Sequence, residues 1–166
     1  MADGRVQEGG SRRGAEAQRD WGPADLNIVS GAVVDVALRL HRELGPGLLE
    51  SVYETVLAAK LERLGYRVER QKAVAIEFED LRFEHAFRID LLVNERLLVE
   101  IKSVDRLNPS HIKQLLTYLR LMRQPLGLLI NFGGETLKEG IKRVINERAS
   151  APLRLCANNN AGEIGR

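Results

Sequence analysis

Two short apolar segments of the chain are interrupted by charge in a regular way. Phe87-Arg-Ile-Asp-Leu-Leu-Val93 carries Arg88 and Asp90, and Leu97-Leu-Val-Glu-Ile-Lys-Ser103 carries Glu100 and Lys102. Alternate residues of a strand share a face, so each segment presents one carboxylate and one cation on a single side. The connecting loop decides whether those sides meet. A two-residue loop at Asn94-Glu95 puts Asp90 and Glu100 on opposite faces; a three-residue loop, Asn94 to Arg96, sets them directly across from each other. The three-residue register, or a bulge of the same effect, is expected. Two adjacent carboxylates repel, and one of them tends to keep a proton. A hard divalent cation removes that conflict. Mg²⁺ takes oxygen ligands, keeps several waters and binds through one or two carboxylates plus substrate phosphate. It activates water and offsets charge growing on phosphate oxygens. Lys102, on the same face, can position that water or neutralise the phosphate. The same four charges also fit two cross-strand ion pairs on a wet face.

The elements that must position these groups are legible from periodicity. A helix is expected to start after Pro23, with Asp25 as its cap, and to run to about Leu44, with Leu26, Val29, Val33, Val36 and Leu40 at helical spacing. Gly45-Pro46-Gly47 stops it. A second helix covers about Leu48 to Leu64, and Gly65 ends it. The period then changes to two, and three or four strands are expected, over 66–78, over 82–93 or only its second half, and over 96–104. Asn108-Pro109 caps a third helix, with Ile112, Leu115, Leu116, Leu119 and Met122 as its buried stripe. Leu126 to Phe132 is an apolar run suited to a buried strand, Gly133-Gly134 turns the chain, and a last helix is expected over about 136–148. The order is α-α-β-β-β-α-β-α, an α/β class with a mixed sheet flanked by helices.

Bulk properties narrow the field. The 166 residues suit one domain, placed at 25–148, between a disordered tail at 1–22 and a flexible C-terminal tail at 149–166. Aromatics are 5%, too few for a platform that stacks single-stranded bases. The net charge of +2 is mild, but Pro109 to Arg148 holds seven Lys/Arg against three Glu, a basic region beside an acidic site. One cysteine, Cys156, excludes disulfides and cysteine-rich zinc sites. His41, His85 and His111 show no zinc spacing. No apolar run approaches a membrane span, so a soluble intracellular, cytoplasmic protein is expected. On the third helix Gln114 and Tyr118 share a face, while Lys113 and Arg120 are seven apart; that edge is a candidate for phosphate contacts.

These residues resemble a known family. Asp90 followed by Glu100-x-Lys102 resembles the D…(D/E)xK signature of the PD-(D/E)xK nuclease superfamily. Upstream, Leu44-Gly-Pro-Gly-Leu-Leu-Glu-Ser-Val-Tyr53 contains Gly47-x-x-Glu50-x-x-Tyr53, the motif of the GxxExxY family within it. Pro109-Ser-His-Ile-Lys-Gln-Leu-Leu-Thr-Tyr118 and Leu126-Gly-Leu-Leu-Ile-Asn-Phe-Gly133 also look like that family, and the similarity spans about 25–148. The resemblance implies a restriction-endonuclease-like core of α-β-β-β-α-β order. It implies Asp90 and Glu100 as metal ligands, the Ile101 carbonyl as a third, Lys102 as the catalytic lysine, and Glu50 completing the acidic site through a water. It places Gln114 near the site. Gly47 would permit close backbone approach, and Tyr53 is read as a packing residue with a hydrogen-bonded hydroxyl.

The expected activity is a Mg²⁺- or Mn²⁺-dependent nuclease that hydrolyses nucleic acid, DNA ahead of RNA, by metal-activated water. The alternative is a catalytically silent module that binds nucleic acid or protein and retains the nuclease fold. A domain this small contacts few base pairs, so a homodimer or a larger complex is a further expectation.

Overall fold

The computed structural model describes residues 23–150; the expectations for 1–22 and for 151–166 lie outside the described residues. Helix α1, Pro23–Leu44, is followed by α2, Glu50–Arg63. Three strands come next: β1 at Val68–Phe78, β2 at Leu81–Val93 and β3 at Leu97–Lys102. Helix α3, Pro109–Leu121, leads into β4 at Leu126–Asn131. A short α4, Leu137–Gly140, precedes β5 at Ile141–Ile145, and a turn of helix α5, Glu147–Ser150, follows. The sheet order is β1-β2-β3-β4-β5. Only β3 and β4 run parallel, joined by α3 as the crossover; the other pairs are antiparallel. No helix among the described residues is long and apolar enough to cross a membrane.

The element order departs from expectation after Gly134. The helix expected over 136–148 is instead α4, then β5, then α5. Ile141–Ile145 pairs antiparallel with β4 and covers an edge that would otherwise leave backbone groups open. Its residues suit that place, with Val144 buried and Lys142, Arg143 and Ile145 facing solvent. Gly140 lets the chain pass close to β4, because a Cβ there would lie 2.5 Å from the Asn131 carbonyl oxygen. The second helix also begins later than expected, at Glu50, so Gly47 lies before it. Gly47 has φ of 98° and nothing near its missing Cβ, so it serves a left-handed turn and not a close approach.

Helices lie on both faces. Helices α1 and α2 cover one, burying Val33, Leu40, Leu57 and Leu61 against Leu91, Val99, Ile101 and Ile130. Helix α3 covers the other, with Leu115 and Leu119 against Ile89, Leu92, Leu98 and Leu129. Asn108 caps α3 through its side chain, and His111 Nδ1 accepts from the Asn108 N–H to close a capping box. Tyr53 behaves as expected: its ring stacks on Phe132 at 4.3 Å, and its hydroxyl donates to the Gly45 carbonyl at 2.7 Å. Such a stack adds about 0.5–1.5 kcal/mol beyond the area it buries.

One polar staple fixes the chain beyond β3. Buried Asn131 accepts from the Val104 N–H at 2.9 Å and donates to the Val104 carbonyl at 2.7 Å. It also accepts from the Gly133 N–H at 3.2 Å. Asn131→Ala strips three part-buried hydrogen bonds at once, and the expected loss is about 2–4 kcal/mol in urea unfolding. A loss below about 1 kcal/mol would show that water replaces the amide freely.

Candidate active site

The β2–β3 hairpin has the three-residue loop. Val93 faces Leu97, Leu92 faces Leu98 and Leu91 faces Val99. Asn94 and Glu95, both at positive φ, turn the chain, and Arg96 N–H returns to the Val93 carbonyl. Asp90 and Glu100 are the next pair in this register, but the ladder has stopped at Leu91. In its place Asp90 Oδ2 accepts the Ile101 N–H at 2.8 Å. The strands thus part at the two carboxylates, and a side chain takes over a backbone bond.

Strand alternation does not carry through Asp90. Leu91 packs on the α1–α2 side, whereas Ile89, two residues away, packs on the α3 side. On β1, Val68 and Val74 divide in the same way. Between the pairs Arg70–Leu91 and Lys72–Ile89 lie Gln71 and Asp90, and Gln71 has φ of 49°. One left-handed residue in the ribbon turns its faces over. Asp90 therefore points sideways, toward the edge of β3. Arg88, grouped with it by alternation, is exposed and makes no ion pair with the carboxylates.

Glu100 and Lys102 do share a face. Lys102 Nζ lies 2.7 Å from Glu100 Oε1. Glu100 is 5% exposed, and its Oε2 is a buried oxygen with no hydrogen-bond partner. Burial, then the nearby charge of Asp90, pushes the Glu100 pKa up to about 7 despite Lys102. Burial also raises Asp90, against the Ile101 N–H and Lys102, which favour its charged form. Burial works against charge on Lys102 as well, but Glu100, Asp90 and Glu50 together hold its pKa above the ordinary lysine value. One ammonium serves several carboxylates, so it stays charged while they remain under-compensated.

The other expected residues are distributed unevenly. Glu50, exposed at the start of α2, accepts the Ser103 N–H at 3.0 Å, which sets it beside the end of β3 and near Glu100 and Lys102. Gln114 donates to the Tyr118 hydroxyl at 2.9 Å and not to a carboxylate. Tyr118 stacks on Phe87 and lies close enough for Glu100 to act on it; burial first, then Glu100, raises its pKa. Lys113 and Arg120 are exposed on α3 and have no hydrogen bond or ion pair with the acidic groups. Just past the parallel ladder, Lys102 C=O accepts from the N–H of Phe132, the residue after β4. Neighbouring residues of a strand bond to opposite sides, so the N–H and C=O of Ile101 face the parting with β2.

Two residues emerge that the sequence did not single out. Glu54 on α2 is 5% exposed, paired with Arg70 at 2.9 Å and with Gln71 at 2.5 Å. Gln71 reaches on to Asp90 Oδ1 at 3.3 Å. Glu54 follows Tyr53 directly and is a charge among buried helix positions, which is the signal that could have marked it.

These residues fit a divalent oxygen-seeking cation. The orphaned Glu100 Oε2, the Asp90 carboxylate and the outward Ile101 carbonyl are hard donors at one place. Among the described residues no group of three or more His, Cys, Asp or Glu side chains is placed to hold a metal ion. The donors here are two carboxylates and one carbonyl, and Mg²⁺ is commonly bound through one or two carboxylates with water and substrate phosphate completing its shell.

A five-stranded mixed sheet with helices on both faces and an acidic cluster where two strands part defines a restriction-endonuclease-like α/β protein. A family model described as the PD-(D/E)XK nuclease superfamily matches residues 27–144, and the chain belongs to that superfamily. No match was found among the curated proteins or among the solved structures. Membership points to nuclease chemistry on nucleic acid, the general occupation of the superfamily.

The Glu100 carboxyl gives a stability prediction with a definite sign. Its folded pKa lies above the ordinary value of 4.5, so the native state holds the proton more tightly than the unfolded chain. The associated stability is fully present below about 4.5 and is lost as pH rises through about 7. Without added metal, unfolding free energy should fall across that window by on the order of 3 kcal/mol. Glu100→Gln, which cannot ionise, should flatten the fall and unfold at higher urea than the wild type at pH 8. Parallel curves for the two proteins would refute the assignment.

Proposed function

We propose that the domain is a Mg²⁺- or Mn²⁺-dependent nuclease that hydrolyses phosphodiester bonds, with DNA as its substrate. The observation that carries this reading is the closeness of Asp90 to Glu100 where β2 and β3 part, with Glu100 Oε2 buried and unpartnered beside Lys102. Leaving a buried carboxylate oxygen unsatisfied costs about 1–3 kcal/mol or more. A silent binding module has no use for that cost, whereas a cation site requires a free oxygen of this kind.

Asp90, Glu100 and the Ile101 carbonyl would hold the ion, with Glu50 reaching it through a water. The ion supplies positive charge that activates water and stabilises charge on phosphate oxygens. Lys102 keeps its proton beside Glu100 and presents an ammonium to the attacking water or to a phosphate oxygen. Ile101 N–H, by binding Asp90 Oδ2, keeps that carboxylate turned toward the gap. Tyr118 and Gln114 border the gap from α3, and Lys113 and Arg120 offer cations for phosphates further along the helix. Gly47-x-x-Glu50-x-x-Tyr53 supports placement in the GxxExxY branch, since Glu50 meets β3 and Tyr53 anchors the turn before it. The functional unit is the folded domain over 25–148, soluble and cytoplasmic. Dimerisation would extend its contact with a duplex beyond a few base pairs.

Asp90→Ala, Glu100→Ala and Lys102→Ala should each lower cleavage of a nucleic-acid panel by about a hundredfold or more without unfolding the chain. Calorimetry should separate their roles. The Asp90→Ala/Glu100→Ala double variant should lose Mn²⁺ binding, and Lys102→Ala should retain it. Arg82→Ala, at the exposed tip of the β1–β2 hairpin, should behave as wild type. Full cleavage by all three single variants would sink the proposal.

A further inference from the structure

Asp90 is held at both oxygens, and only one of its partners belongs to the motif. Oδ2 takes the Ile101 N–H, and Oδ1 takes the amide of Gln71. The same Gln71 nitrogen donates to Glu54 Oε2, so one NH₂ group spans two carboxylates. Both neighbours are acceptors, which fixes which end of the amide faces them. Glu54 is in turn fixed by Arg70 Nε on its other oxygen, while Arg70 Nη2 holds Thr55 Oγ1 at 2.8 Å. Gln71 lies at φ of 49°, in a region that non-glycine residues rarely occupy and that clusters at functional sites. An apolar or β-branched residue would fill a strand position better. The backbone turn is what brings the Gln71 amide opposite Asp90.

We propose that Gln71 is a positioning residue which, seated on Glu54, aims the Asp90 carboxylate at the gap between β2 and β3. The functional consequence rests on the reading of Asp90 as a metal ligand; the positioning itself does not. The amide separates the charges of Glu54 and Asp90 by its two N–H groups and leaves Asp90 little freedom to rotate away from Glu100. Groups that orient a ligand in this way commonly influence metal affinity about as strongly as 10–100-fold.

The test uses the full chain, ¹⁵N-labelled and without added metal. Gln71→Gly removes the amide while suiting the positive φ, so the backbone is retained. Exchange of the Ile101 amide, whose acceptor is Asp90, should then accelerate about tenfold or more. The amides of Leu98 and Val99 should keep their protection, which a general loosening would not allow. Glu54→Gln keeps an acceptor for Gln71 and should hold Ile101 near wild type, whereas Glu54→Leu should not. Should Gln71→Gly fail to fold, Gln71→Asn serves, since asparagine tolerates the left-handed region and its shorter amide cannot span both carboxylates. Unchanged Ile101 exchange in a folded variant overturns the proposal. In a second arm Mn²⁺ is titrated into each protein, and Gln71→Gly should bind about tenfold more weakly or worse. Equal binding by wild type and variant also overturns it. A wild type that binds no Mn²⁺ counts against the metal reading alone, and amide exchange then decides the role of Gln71.

Discussion

Around the parting of β2 and β3 there is more negative charge than the protein neutralises. Asp90 and Glu100 lie just past the last rung of the β2–β3 ladder, Glu50 approaches from α2, and Lys102 is the ammonium that bonds directly to one of them. In water this crowding would be screened and each carboxylate hydrated. Here Glu100 is enclosed, so the loss of hydration outweighs the attraction of its lysine. A replacement of similar volume without charge would be more comfortable at this place. On the proposed reading a divalent cation completes the arrangement, since such an ion would satisfy the orphaned oxygen and offset the repulsion together.

The surrounding structure prevents the conflict from relaxing. The end of β3 is pinned from three directions. Helix α2 binds Ser103 through Glu50, and the preceding loop accepts the Ser103 hydroxyl at Leu48. Strand β4 runs parallel to β3 along its whole length and bonds Lys102 through Phe132. Asn131 grips Val104 at both its N–H and its carbonyl. A strand held this firmly cannot slide or rotate to bring Glu100 into water. Close packing on both faces, aliphatic on each side, removes the remaining freedom.

Much of this was legible in the sequence, and the failures have physical causes. Charge placed inside apolar strands made Asp90, Glu100 and Lys102 the candidates, and loop length gave the hairpin register as far as Leu91–Val99, because pairing geometry is local. The Asn108-Pro109 cap was legible for the same reason. The last helix was not, since Leu137, Ile141 and Val144 follow helical spacing while β4 offers an open edge that only tertiary structure reveals. Short segments of this kind are decided by the partner available. The turning of the β1–β2 ribbon at Gln71 was also hidden. Period-two reading assumes unbroken alternation, and a single left-handed glutamine reverses it without changing the residue count. Glu54 escaped for a related reason, as its partners Arg70 and Gln71 lie on another element.

The same turn explains how one site can draw on both faces of the sheet. Glu50 and Glu54 stand on the α2 side, whereas Tyr118 and Gln114 stand on the α3 side. A continuous ladder would separate these two groups by a layer of backbone. Because β2 rolls over at Asp90 and leaves β3 there, the sheet has an opening at that point, and Asp90 lies in its plane. Its carboxylate bonds to the strand it has left, through Ile101, and to the strand behind it, through Gln71. Charge from either face can therefore act on a group bound in the opening, from fixed positions. Electrostatic catalysis depends on that condition, since groups held in place need no reorganisation when charge develops. The left-handed backbone of Gln71 and the unsatisfied oxygen of Glu100 thus both lie at the place where β2 leaves β3.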